Sequence, residues 1–498
     1  MTVLHCLLFG LSRWLFCALR PVILPLESTF VLNVRLFVPA VEDTKSHLLG
    51  CFMTRTKTVG IVLALAVLAT SSKAQTMLER LQENAVLEQA DHDGPLSIQY
   101  VVDRVLARHP GRESAMGYEA SAREMIDVAK AHYYPQVSGG VSSSYEKYRS
   151  GRYDEKALQS LDLNVQQLLY DFGKTANSVK KAEFGDLKAQ ARTDLVVEQL
   201  VREASNSVLE AVRYQGFLNL AQAHVQEVEQ LTRLVEQRHE KGASNLSDVL
   251  QARSRLDSVQ ALVLNVDAEY RKWLQEIALL AQLPDVSAVS LAQFPPELNQ
   301  SCTISRINWE RIPEVVMVDM AAEEAVADVD LASSEEWPTL SLQANASRAL
   351  NATPLYGSRV ETGIRLNFSM PFYQGGGLSA RKRAASGALR AASAEKSQVR
   401  LQVEQRLADQ VNRYQGLERR KTLLANRVVN ISGTKDLYRK QYLDLGTRSL
   451  VDLLNAEQEY HQARVEVLNS ELDLKASQIE CAYSQGLLSA GFNVPALN

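Results

Sequence analysis

The chain carries no proline between Pro135 and Pro284, and none between Pro371 and Pro495. Proline removes a backbone donor and clashes with the preceding turn, so long proline-free tracts permit long helices. Lys174–Lys241 and Leu378–Leu445 cover 68 residues each. As unbroken helices each would run about 100 Å at 1.5 Å per residue. Gly185, Gly216, Gly387 and Gly416 are the candidate bends. Both tracts stop at a glycine, Gly242 and Gly446, the usual helix end. A return helix of roughly 40 residues is expected after each.

The two tracts belong to one unit written twice. Pro110 matches Pro313, Pro135 matches Pro338, and Leu169–Gly173 matches Phe372–Gly376, all at an offset of 203. Gly242 and Asp248 match Gly446 and Asp452 at 204. So long a period means duplication of a whole structural unit, not a solenoid. The units are expected at 75–290 and 291–498. Their hairpins fall at about 136–170 and 339–372, and their helices at about 174–283 and 378–490.

The hairpins are read from alternation. Leu340, Leu342, Ala344 and Ala346 alternate with Ser341, Gln343 and Asn345. Beyond a polar turn near Asn351–Gly357, Val360, Thr362, Ile364, Leu366 and Phe368 alternate with Glu361, Arg365 and Asn367. The first unit repeats this more weakly at Val137–Tyr148 and Leu161–Gln166. A period of two gives each hairpin one apolar and one polar face. Strand starts are marked by Pro135 and Pro338, and exits by Gly173, Pro371, Gly375 and Gly376.

The return helices carry heptad seams. Val249, Ala252, Leu256, Val259, Val263, Val266, Tyr270, Trp273 and Ile277 step alternately by three and four, which is coiled-coil packing. The second unit keeps the register through Leu453, Ala456, Tyr460, Ala463 and Val467, interrupted by Ser470 and Ser477. Cys481 falls on this seam, where a buried thiol packed as a small hydrophobe is expected.

Met53–Gln75 has a basic start (Arg55, Lys57), an apolar run from Val59 to Ala69, and a Ser72-Lys73-Ala74 end. That is a secretory signal peptide cleaved after Ala74. Residues 1–52 are then expected to be a mis-annotated upstream extension, with Met53 the true start. Three of the five cysteines leave with this segment. Cys302 and Cys481 remain in an oxidising compartment, with separate thiols expected over a disulfide. No tract of the mature chain is apolar for the length of a transmembrane helix.

A balance of 54 Lys+Arg against 58 Asp+Glu argues against a nucleic-acid partner. Gly173-Lys174-Thr175 ends like a phosphate loop, but Leu168 stands where its first glycine belongs. Gly375-Gly376-Gly377 reads as a sharp strand-to-helix exit. His92, His109, His132, His224, His239 and His461 show no metal spacing and are expected on solvated surface. No catalytic residue, metal site or cofactor is expected.

The expected fold is therefore mainly α with a small β part. Four strands per chain, apolar on one face, cannot close a barrel alone, and an open edge in lipid leaves backbone groups unpaired. Three copies would supply twelve strands, with the long helices continuing the barrel as a conduit.

The chain resembles the TolC family of outer-membrane efflux and type I secretion channels over residues 96–490. The resemblance rests on the Leu96-Ser97…His109-Pro110 lead-in, Tyr134-Pro135, Trp337-Pro338, Met370–Gly376, and above all Gly446–Ala456 with its partner Gly242–Ala252. It implies a homotrimer in outer-membrane lipid, no enzymatic activity, and docking to a periplasmic adaptor and an inner-membrane transporter. It implies a periplasmic gate in which Arg448 is the latch arginine, Ser247 and Asp248 its partners, and Asp452 an inward acidic ring. The second ring acid is Asn455 here. The latch tyrosine position holds Leu443, with Tyr442 one place earlier. Asp248 and Asp452, six residues past their glycines, sit deep for simple helix caps. The C-terminal Ser484–Gly491 leans toward protein secretion by the same resemblance. The alternative is a periplasmic coiled-coil scaffold without a pore.

Overall fold

The computed structural model describes residues 94–148, 154–303, 306–350 and 360–494. The upstream extension, the signal peptide and the turn near Asn351–Gly357 lie outside the described residues.

The described chain opens with β1 (Leu96–Ser97), α1 (Ile98–Arg108) and α2 (Pro110–Lys130). Pro110 is the first residue of α2, where its missing donor breaks no bond. β2 (Gln136–Tyr148) and β3 (Asp154–Tyr170) form a hairpin, followed by α3 (Lys174–Glu240) and α4 (Leu246–Leu280). β4 (Val289–Ser290) pairs in parallel with β1. A 3-10 segment, Pro296–Thr303, leads on to α5 (Pro313–Ser334). The plan then repeats as β5 (Thr339–Ala349), β6 (Val360–Ser369), α6 (Gly377–Lys440), a π-helical segment Gln441–Leu445, and α7 (Leu450–Ser484). The short α8 (Leu488–Gly491) follows.

Helix α3 holds 67 residues and α6 holds 64, so each runs about 100 Å. The four glycines expected as bends lie inside these helices without ending them. Gly216 has a packing role instead: a Cβ there would sit 2.5 Å from Leu468 Cδ2, so glycine lets α3 approach α7 closely. Both strand-to-helix exits use a left-handed glycine as N-cap, Gly173 at φ +93° and Gly376 at φ +81°. Asp171 completes the first exit, accepting from the Gly173 amide at 3.1 Å and the Thr175 amide at 2.7 Å. The Lys174 amine donates to the Thr339 hydroxyl at 2.7 Å. The Gly-Lys-Thr sequence is thus a corner.

The heptad seam of α4 turns inward. Val249, Ala252, Val259 and Ile277 are buried, and the other seam residues are half-buried. In α7 the interrupting Ser470 and Ser477 are buried along with Leu453, Ala463 and Leu474. The main core lies midway along the bundle, where Ile98 and Val105 of α1 meet Val201 and Val208 of α3, Ile277 of α4 and Ile479 of α7. The C-terminus closes this core. Leu488 and Phe492 are fully buried, and the buried Glu198 carboxylate accepts from the Leu488 and Ser489 amides at 3.3 and 3.0 Å. The Ser484–Gly491 motif is thereby a packing element.

Cys302 and Cys481 correct the expectation of separate thiols. They form a disulfide, with Cα atoms 5.3 Å apart. The 3-10 segment lies along α7 and brings Cys302 to the seam position of Cys481, where Ser301 donates to the Gln478 carbonyl at 2.7 Å. Their 179-residue separation hid this proximity.

The four long strands form one sheet in the order β2-β3-β5-β6, all antiparallel. Val137, Val141, Leu161, Leu163, Val165, Leu342, Ala344, Ile364, Leu366 and Phe368 share one face by register. Ile364 is 81% exposed and Val141 71%. On the other face Asp162 accepts from Ser142 at 2.8 Å, Ser160 at 2.9 Å and Ser347 at 2.7 Å, joining three strands.

Candidate functional site

The two ends of the molecule carry the candidate sites. At one end, each long helix turns into its return helix through a left-handed glycine, Gly242 at φ +74° and Gly446 at φ +61°. Three residues separate each glycine from the next helix, so α4 starts at Leu246 and α7 at Leu450. Asp248 and Asp452 therefore stand in the first helical turn, where a carboxylate favours the exposed amides and the helix dipole. The N-caps themselves are Asn245 and Ser449, three residues earlier, so the two acids do sit deep for simple caps. The Ser449 hydroxyl accepts from the Asp452 amide at 3.2 Å, and Asp248 accepts from the Ser244 hydroxyl at 2.8 Å.

Arg448 is exposed at this tip. Its Nη1 lies 3.7 Å from Asp452 Oδ2, its Nε donates to Gln441 Oε1 at 3.2 Å, and its guanidinium sits 4.4 Å from the Tyr438 ring centre. Within one chain the structure brings Arg448 to Asp452 and gives it no recorded contact with Ser247 or Asp248. Asn455 is exposed on α7.

The link between the two helix pairs inside a chain is one that the sequence reading missed. Arg238, at the end of α3, donates from Nη1 to the Leu443 carbonyl at 2.9 Å. Its guanidinium stands 5.1 Å from the ring centre of the buried Tyr442. Leu231, Val235, Val249, Leu450 and Leu453 pack around the same tyrosine. The displacement of tyrosine from position 443 to 442 was the available signal. The π-helical segment at Gln441–Leu445 shifts the phase of the chain at that point.

The expectation of solvated histidines holds for His132 and His239, which are exposed, and fails for His224 and His461; His92 lies outside the described residues. His224 of α3 and His461 of α7 stack with ring centres 4.5 Å apart, and His224 is 4% exposed. Burial foremost, then His461, Arg255 and Lys435, lower the His224 pKa to about 4. Lys435 of α6 lies 3.5 Å from the buried Glu457 carboxylate and 3.6 Å from Glu227. Burial pushes Glu457 up to about 7, opposed by Lys435 and reinforced by Glu227. Among the described residues no cluster of three or more His, Cys, Asp or Glu is arranged to hold a metal.

At the sheet end, β2 and β6 are edge strands, each paired on one side only among the described residues. Tyr170, Phe172 and Trp337 form an aromatic group at the strand ends, with centroid distances of 4.7 and 5.7 Å. Phe372 and Tyr373 beside the last strand are 88% and 84% exposed. Aromatic residues at this level suit a membrane–water boundary.

Comparison with known proteins agrees with this geometry. Residues 101–281 and 309–482 match the family described as outer membrane efflux protein. The outer membrane protein TolC of Salmonella enteritidis is 22% identical over 394 residues, covering 76% of this chain and 79% of that protein. The alkaline protease secretion protein AprF of Pseudomonas aeruginosa is 21% identical, covering 77% and 83%. The outer membrane protein VceC of Vibrio cholerae shares the fold, with a TM-score of 0.68 at 18% identity over 78% of this chain and 96% of that one. Long helical tracts, a four-stranded sheet with open edges and a match across both halves lead to one conclusion: the chain belongs to the outer membrane efflux protein family, the export channels of the Gram-negative outer membrane.

Proposed function

We propose that three copies of the chain assemble around one axis into a twelve-stranded barrel in outer-membrane lipid, continued through the periplasm by the helices. The observation that carries this reading is the sheet. Its apolar face is exposed, its other face is polar around Asp162, and both of its edges are open. Such a sheet is stable in lipid only when its edges are paired into a closed barrel.

In this assembly the helix tips form the gate. Arg448, Asp452 and Asn455 from α7 approach Ser247 and Asp248 of a neighbouring copy. Asp452 lines the opening, and Gly242 and Gly446 make the turns that move. The channel is passive and performs no chemistry. It engages a periplasmic adaptor and an energised inner-membrane transporter. Its cargo is either a small molecule or a secreted polypeptide, in keeping with relatives named for alkaline protease secretion and for pyoverdine export.

Single-channel conductance of the detergent-extracted protein in planar bilayers tests the proposal. A small conductance from the wild type is the expected result. Absence of channel events from folded protein overturns the pore and leaves a coiled-coil scaffold.

A further inference from the structure

We infer that neighbouring copies meet in a register already written inside one chain: β6 of one copy runs antiparallel to β2 of the next with Phe368 opposite Val141, while α2 of that next copy seats its free face on α6 of the first. This rests on the proposed assembly and specifies how its copies join.

The argument starts from the duplication. Gln136 pairs with Gln166 in the first hairpin, and Thr339 pairs with Ser369 in the second. Each residue has moved by 203, so the offset holds on both strands. The same offset relates the N-caps Gly173 and Gly376, and the first residues of the lead-in helices, Pro110 and Pro313. The hairpins, lead-in helices and starts of the long helices are therefore equivalent residue by residue.

One junction between units lies inside the chain. There the last strand of the first unit, β3, pairs with the first strand of the second, β5. Val165 stands opposite Ala344, Leu163 opposite Ala346 and Gln166 opposite Gln343. The open edges repeat these roles, since β6 is the last strand of a unit and β2 the first. Carrying the internal junction over by 203 places Phe368 opposite Val141 of the next copy, Leu366 opposite Ser143 and Ser369 opposite Gly140. Phe368, Leu366, Val141 and Ser143 all belong to the apolar side of the sheet by register. A slip of one residue would set Phe368 against Ser142 or Gly140, on the polar side, and would invert every later pair.

The helices reach the same arrangement independently. α5 packs between α6 of its own unit and α3 of the preceding one, with ion pairs Lys181–Asp328 and Lys188–Glu324. Its equivalent α2 packs on α3 of its own unit, and the face that carries Tyr118 and Met125 is exposed, at 65% and 54% accessible. The preceding unit for α2 is α6 of another copy. By the offset, Met125 replaces Asp328, and Ala384 and Ala391 replace Lys181 and Lys188. Of the two charged contacts inside the chain, one becomes Met125 against Ala384 between chains and the other Ser121 against Ala391. That pattern fits a second copy as the occupant of both free surfaces.

Cysteine cross-linking of the full chain in isolated outer membranes tests the register. Val141→Cys with Phe368→Cys is oxidised and run without reductant. Inside one copy Val141 is level with Val360 across the sheet, three strands away, and Phe368 stands eight residues farther along β6, so the two positions are about 30 Å apart and a disulfide between them joins copies. The expected product is a band at three times the chain mass that collapses on reduction. Phe368→Cys with Gly139→Cys or with Ser143→Cys tests slips of two residues. Efficient linkage at either, in preference to Val141, overturns the register and leaves the assembly standing. Met125→Cys with Ala384→Cys, joined by a short bismaleimide, tests the helix contact without altering the sheet, and a trimer band is again expected. No linked product from any pair, with the wild type still of trimer mass in detergent, overturns the inference alone. A monomeric wild type overturns the assembly.

Discussion

The rings of His224 and His461 stack 4.5 Å apart across the joint between α3 and α7, 237 residues apart in sequence. Neither ring nitrogen of the buried His224 has a hydrogen-bond partner. The charged groups acting on the pair are Arg255 from α4, Lys435 from α6, Arg464 from α7 and Glu227 from α3. Cations dominate around the rings, so burial keeps His224 neutral.

The cluster predicts opposed pH effects on stability. The folded pKa of His224, about 4, lies below its unfolded value of 6.5. The unfolded chain therefore holds more protons between these values, and the stability due to His224 is full above 6.5 and lost as pH falls toward 4. The folded pKa of Glu457, about 7, lies above its unfolded value of 4.5, so its contribution is full below 4.5 and lost as pH rises toward 7. Each group can contribute at most about 1.4 kcal/mol per pH unit. Between about pH 4.5 and 6.5 the two slopes oppose each other. Glu457→Gln should give a Tm that climbs with pH, and His224→Phe one that falls. Parallel slopes in the two variants would refute this account.

At the tip, Arg238 and Arg448 should behave differently. Arg238 ties the two helix pairs of one chain through the Leu443 carbonyl and the Tyr442 ring. Arg238→Ser removes a charge-assisted hydrogen bond of about 1.5–3 kcal/mol, so Tm should fall and single-channel conductance rise. Arg448 contacts only its own helix pair and is exposed, an ion pair of at most about 1 kcal/mol. Arg448→Ser should leave Tm unchanged and raise conductance, because its partners in the proposed gate are on a neighbouring copy. Unchanged conductance would take Arg448 out of the gate.

What the sequence made legible follows from local rules. Proline-free tracts, left-handed glycines at Gly173, Gly376, Gly242 and Gly446, and the alternation of Leu340 to Ser347 each act over a few residues, and the helices and strands lie where these rules put them. What it hid depends on how long helices are rotated against one another. His224 with His461, Arg238 with Leu443, and Cys302 with Cys481 each meet across helices far apart in sequence. Their meeting is fixed by the summed phase of many turns, which no single motif records.

The disulfide predicts sensitivity to reductant. Cys302–Cys481 fastens the 3-10 segment to α7 across a 179-residue separation. Closing so long a loop restricts the unfolded chain, and bridges of this kind contribute about 2–5 kcal/mol. The wild-type Tm should drop in dithiothreitol, while the Cys302→Ser/Cys481→Ser variant should start at the lower value and stay there. A Tm indifferent to reductant, with the thiols shown to be freed, would mean that the segment is held by its other contacts.

Gly486 is the position where a single methyl group should do most damage. Its φ is +63°, a conformation that L side chains rarely adopt. A Cβ there would lie 2.2 Å from the Arg311 carbonyl oxygen and 3.1 Å from Pro313 Cδ. Neither obstacle is a flexible side-chain end, so the chain at the start of α5 must move. That start is anchored by the buried Ile312 and Val315, and the C-terminal segment is anchored by Glu198 and Phe492. Strain and overpacking together should cost about 2–5 kcal/mol. Gly486→Ala should therefore lower Tm and reduce the amount of protein recovered from outer membranes. Gly94→Ala is the control, because nothing lies within 4 Å of its Cβ position. Equal recovery of the two variants would mean that the C-terminal closure yields more readily than its buried contacts indicate.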